Sequence, residues 1–159
     1  MKFVQPNTHV CDADVSDLET VRALFGEYAA SLAFSLDFQD FAHELATLPG
    51  EYAPPRGALL VVRVEGTTCG CVGVRPLEGQ ACELKRLYVR PELRSGGVGR
   101  LLTEAAIERA RALGYRRMLL DTVPGMERAQ ALYLALGFRE IGAYRANPVP
   151  GARFLELDL

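Results

Sequence analysis

The chain has 159 residues, a formal net charge of −2, 49% hydrophobic residues and 24% charged ones. That length suits one domain over residues 1–159 with its own core, and the near-neutral charge gives no global pull toward nucleic acid. No apolar run approaches the roughly 18 residues of a membrane span, and the first residues lack the basic-then-apolar layout of a signal peptide, so a soluble cytoplasmic protein is expected.

The first strand is predicted at Thr8–Asp12, as a sheet edge. Ser16 then opens a helix through the capping box Ser16-Asp-Leu-Glu19, with Val21, Leu24, Phe25, Tyr28 and Leu32 on one buried face. A second helix is predicted from Asp37, carrying Phe38, Phe41, Leu45 and Leu48 to Pro49. Residues 50–56 read as a loop. The pattern then changes to strands: Ala58–Val64, a turn at Glu65-Gly66-Thr67, and Cys69–Arg75, followed after Glu78-Gly79-Gln80 by Ala81–Val89. The four cysteines, Cys11, Cys69, Cys71 and Cys82, fall in strand-like stretches and are expected as buried or half-buried thiols, neither disulfides nor zinc ligands. Cys69 and Cys71 are expected to point the same way.

A helix over Val98–Leu113 ends at Gly114, where a C-terminal glycine belongs. Arg117–Thr122 follows a strand-helix unit and should therefore lie parallel to Ala81–Val89. Pro124 and Gly125 break it, a helix runs from Met126 to Leu136, and the strands Phe138–Gly142 and Phe154–Leu159 close the chain. The predicted order is β-α-α-β-β-β-α-β-α-β-β, a mixed α/β sheet flanked by helices.

The chemistry concentrates in Glu83–Leu102, a strand, a glycine loop and a helix start. A helix that begins directly after glycines presents unpaired backbone N–H groups at its positive end, which suits a phosphate. Gly97 and Gly99 let the backbone approach an anion closely, and Arg94 and Arg100 bracket the loop with fixed positive charge. The Walker pattern fails because Arg100 and Leu101 follow Gly99, and the dinucleotide fingerprint fails because Leu102 stands where its third glycine belongs. What remains is R-x-x-G-x-G at Arg94, Gly97 and Gly99, which suits a pyrophosphate.

With the preceding L-Y-V-R-P-E and the later A-L-Y-L-A-L-G-F (Ala131–Phe138), this loop resembles the GNAT superfamily of N-acetyltransferases from Ala58 onward. The resemblance implies a mostly antiparallel GNAT-like sheet and acetyl-CoA as co-substrate. Its pyrophosphate would sit on Arg94, Ser95, Gly96, Gly97, Val98, Gly99 and Arg100, and its pantetheine arm along Leu87, Tyr88 and Val89. The Val89 amide is the implied oxyanion donor. Met126 stands where relatives often carry an asparagine that contacts the cofactor arm.

Acetyl transfer to an amine needs a base, because a primary amine is mostly protonated at neutral pH, and an acid for the departing thiolate. Glu83 matches the family's position for the base; the bland alternative is a surface pair with Lys85, on the same side of the strand. Tyr133 matches the usual proton donor, the alternative being a core tyrosine on the helix's apolar face. His9 and His43 lie away from both signatures. In the family the acceptor sits between the first two helices, the central strands and the late loop, which nominates Tyr28, Phe34, Phe38, Arg86, Tyr144 and Asn147. That lining suits a small, partly apolar or amino-acid-like amine. The competing readings are a noncatalytic CoA-binding regulator and a transferase using another acyl donor. The final strands are a candidate edge for a homodimer.

Overall fold

The computed structural model describes residues 5–159. Seven strands form one sheet in the order β1-β2-β3-β4-β5-β7-β6: β1 Thr8–Asp12, β2 Ala58–Val64, β3 Thr67–Pro76, β4 Ala81–Val89, β5 Arg117–Thr122, β6 Arg139–Ile141 and β7 Arg153–Asp158. All neighbours are antiparallel except β4 and β5, which the connecting helix makes parallel. The helices are α1 Leu18–Ser31, α2 Phe41–Ala46, α3 Val98–Ala112 and α4 Glu127–Ala135.

Alternation along β2 divides the core. Leu60 and Val62 join the α3 residues Leu102, Ala106 and Ala110 on one face, while Leu59 and Val61 join Val21, Leu24 and Phe25 of α1 on the other. Gly73 of β3 is needed on the α1 face, because a Cβ there would stand 2.5 Å from the Tyr52 ring.

Several local expectations are corrected. The helix start is capped by Asp14 and Asp17, whose side chains exchange bonds with each other's backbone across a 3-10 turn; Ser16 and Glu19 do not form the box. Aspartate caps as well as serine, and here Asp17 is also fixed by Arg63. The second helix is not continuous from Asp37 to Leu48. Asp40 takes a left-handed backbone, φ 54, between a 3-10 turn at Asp37–Gln39 and the short α2, a conformation aspartate tolerates better than most residues.

Cys69 and Cys71 do not share a side. The register shifts where Val62 faces Gly70 but Arg63 faces Thr68, so Cys69 is an extra residue and strict alternation ends there. Cys69 consequently packs with the α3 core and Cys71 with the α1 core. A second irregularity falls in β4: Cys71 pairs with Tyr88 but Gly73 with Lys85, and Arg86 between them has φ 61. Finally, β7 lies between β5 and β6, which leaves only the short β6 at that edge of the sheet.

Candidate active site

Strands β4 and β5 pair only over Ala81–Glu83 and Arg117–Leu119. Beyond that they diverge, and their facing backbone groups must find other partners, since a buried N–H or C=O is costly to leave alone. The gap opens into a cavity of about 730 Å³ bordered by Leu84 to Val89 on one wall and Leu120 to Pro124 on the other. The Arg86 bulge helps to open it. An extra residue twists β4 away and sends Lys85 and Arg86 both toward the α1 side.

At one end of this cavity lies the glycine loop. Ser95 and Gly97 hold left-handed backbone, φ 74 and 83, and Gly97 is the N-cap of α3 with no side chain to occupy the first-turn amides. A Cβ at Gly99 would meet nothing within 4 Å, so the space beside the helix start is open. The Arg94 Nε donates to the Val89 carbonyl at 2.9 Å, and its guanidinium lies 5.4 Å from the Tyr88 ring centre, which fixes a cation at the loop. Arg100 borders the same space and pairs with Glu104. This loop fits a diphosphate: open amides at a helix start, room for the anion, and a fixed arginine. The unpaired strand edges beside it suit an amide-bearing chain.

The cavity wall includes Leu87, Tyr88, Val89, Arg94, Ser95, Gly97, Gly99 and Arg100; Gly96 is not part of it, and Val98 is buried in the α3 core. Tyr133 also borders the cavity. Its ring packs on Phe138, 5.6 Å between centres, and burial pushes its hydroxyl pKa up, so it stays protonated at neutral pH.

The same cavity is also lined by Tyr28, Phe34, Phe38, Arg86 and Asn147, the residues expected at its acceptor end. Phe34 and Phe38 come together, 6.3 Å between ring centres. Arg86 is buried, grips Glu44 of α2 with Nε and Nη2 at 2.8 and 3.1 Å, and lies over Tyr28 and Phe41, so it ties α2 to β4. Tyr144 is not on this wall. Its hydroxyl donates to Glu83, and its ring packs edge-on against Phe154.

Glu83 is not a surface residue paired with Lys85. It is 0% exposed, and Arg75, Arg145 and Tyr144 all donate to its carboxylate. It does not border the cavity. Lys85 does, and its partner is Asp121 of β5: Nζ stands 3.6 Å from Asp121 Oδ1 and donates to Gln39 Oε1 at 3.0 Å. Asn147 donates to the other Asp121 oxygen at 3.1 Å.

Asp121, Gln39 and Arg128 are therefore site residues that the sequence reading missed. Arg128 donates to Ser95 Oγ at 2.8 Å and adds a cation at the loop. Asp121 had a faint signal, a carboxylate directly after the apolar run Met118, Leu119 and Leu120; Gln39 and Arg128 had none.

The family model described as "Acetyltransferase (GNAT) family" matches residues 20–138. An uncharacterised N-acetyltransferase of Schizosaccharomyces pombe is 41% identical over 145 residues, covering 90% of this chain and 89% of its own. The IAA acetyltransferase of Azospirillum brasilense is 33% identical over 151 residues, covering 93% and 92%. Among solved structures, a PaiA N-acetyltransferase from Thermoplasma acidophilum, in complex with coenzyme A, superposes with a TM-score of 0.75 over 96% of this chain and 99% of its own, at 16% identity.

Proposed function

The chain belongs to the GNAT family of acetyltransferases, and on that premise we propose that it moves an acetyl group from acetyl-CoA to the primary amine of a small molecule. The observation that carries this is one cavity bordered at once by the diphosphate-fitting loop, the separated edges of β4 and β5, Tyr133, and an aromatic and polar far end.

In this reading Arg94, Ser95, Gly96, Gly97, Val98, Gly99 and Arg100 hold the pyrophosphate, and Leu87, Tyr88 and Val89 run along the pantetheine arm. When bound, acetyl-CoA supplies the activated acyl thioester. The Val89 amide is the candidate donor to the oxyanion, because a fixed dipole needs no reorganisation as charge develops. Tyr133, held neutral by its apolar surroundings, gives its proton to the departing sulfur. Tyr28, Phe34, Phe38, Arg86 and Asn147 form the acceptor end, with Tyr144 behind it.

Glu83 is the proposed base. Because its oxygens are taken by three donors and neither Glu83 nor Tyr144 borders the cavity, a proton from the amine reaches it through water and then Tyr144, which passes its own proton to Glu83 as it receives another. The cavity wall favours a second base, Asp121, which touches the acceptor end directly. The aromatic lining favours a small, partly apolar or amino-acid-like amine over a polycation.

Release of free thiol from acetyl-CoA across a panel of aromatic amines, amino acids and polyamines tests the reading, with propionyl-CoA run in parallel to test the acyl group. Amine-dependent release is expected. No release with any amine, in a protein that binds CoA by calorimetry, overturns catalysis.

A further inference from the structure

Of the 18 lysines and arginines in this chain, all but Lys2 and Lys85 are arginine. Ion pairs across the described residues are made by arginine, with Lys85 the exception. Arginine stays charged under any condition a protein meets, whereas lysine can lose its proton and become a nucleophile. The one described lysine is 5% exposed and still borders the cavity that carries Tyr133, Leu87 and Val89 on its walls.

The groups around its Nζ suit a lysine that gives up a proton. Asp121 stands 3.6 Å away, in ion-pair range and one bridging water or a small rotation of the ammonium short of proton transfer, and is held by Asn147 from its far side. The Gln39 carbonyl oxygen accepts from Nζ at 3.0 Å and orients it. Glu83 on the same strand and Arg86 and Arg75 nearby are the other charges facing it. Burial outweighs the two carboxylates and lowers its pKa to about 8, so about a tenth of it is neutral at pH 7, far more than for an exposed lysine.

We propose that Lys85 is itself an acyl acceptor, taking the acetyl group from a thioester bound in this cavity; this rests on the reading of the cavity as the acetyl-CoA site. The Nζ lone pair attacks the thioester carbonyl carbon, the N–C bond forms, and the C–S bond breaks with its electron pair on sulfur. The proton shed by Nζ passes to Asp121, the thiolate takes one from Tyr133, and exchange with solvent restores both. The products are Nε-acetyl-Lys85 and free CoA. The amide is stable, so the step ends there: Asp121 loses its cation, and an acetamide fills the acceptor end.

The test incubates the intact protein with acetyl-CoA and no amine, then maps acetylation by peptide mass spectrometry at Lys85 and Lys2, with acetyl-CoA binding followed by calorimetry on the same sample. The expected result is saturable acetylation of Lys85, at least about tenfold faster than with equimolar acetyl phosphate, because the bound donor is held beside the amine. Lys2 supplies the background rate. Lys85→Arg should abolish the label at that position, and Asp121→Asn should slow it by about tenfold or more. Acetyl-CoA that binds while Lys85 stays unmodified overturns the proposal and spares the cavity reading. Lys85 labelled no faster than Lys2, or equally by acetyl phosphate, overturns it as well. Failure of acetyl-CoA to bind overturns both.

Discussion

Lys85 and Asp121 face each other at 3.6 Å across two strands that have already stopped pairing. Two carboxylates thus compete to serve as base: Glu83, sealed by three donors, and Asp121, on the cavity wall. With the best amine from the panel, the pH dependence of kcat/KM separates them. Glu83→Gln should remove the acidic limb and lower the rate by about 10²-fold or more if the proton passes through Tyr144; the same result from Asp121→Asn assigns the proton to β5.

Tyr133→Phe keeps the ring that packs on Phe138 and removes only the hydroxyl. Thermal stability should stay close to wild type while kcat falls by about 10²-fold or more, the usual loss of an acid that protonates a leaving group. Unchanged turnover would make Tyr133 a core residue.

Arg94→Ala removes a guanidinium anchored on Val89 and Tyr88 at the mouth of the loop. Loss of a hydrogen bond to a charged group costs about 1.5–3 kcal/mol, so calorimetry should show acetyl-CoA binding weakened by about ten- to a hundredfold. Circular dichroism checks that the fold survives.

Gly73→Ala puts a methyl 2.5 Å from the Tyr52 ring, in the core under α1. Overpacking of this kind costs about 1–3 kcal/mol, so urea unfolding should shift to lower concentration with little change in slope.

Arg63 holds the Asp17 carboxyl below its ordinary value of 3.8. Stability gained this way is fully present above that value and is lost as pH falls through the lower native one. Asp17→Asn should therefore unfold more easily at neutral pH, by about 1–3 kcal/mol. The gap should narrow in acid, as chemical denaturation followed from pH 7 downward would reveal.

The strand-loop-helix around Arg94 and the parallel placement of β5 were legible because each rests on local rules, a glycine at a left-handed position and a right-handed crossover. The exceptions share a cause. The bulges at Cys69 and Arg86 are registry events between strands, and no single strand's pattern records them. Asp121 and Gln39 become site residues only through partners distant in the chain, and Asp40 interrupts its helix although the surrounding apolar spacing suits one. Glu83 shows the same limit: its burial depends on Arg145 and Tyr144, from a loop more than fifty residues later.

The parting of β4 from β5 has a mechanical consequence. Only three residue pairs stitch the four-stranded half of the sheet to the three-stranded half, with the ties of Tyr144 and Arg145 to Glu83 and of Lys85 to Asp121 as further braces. Any guest seated along both open edges becomes a rivet between the halves, so its arrival should stiffen regions far from where it touches.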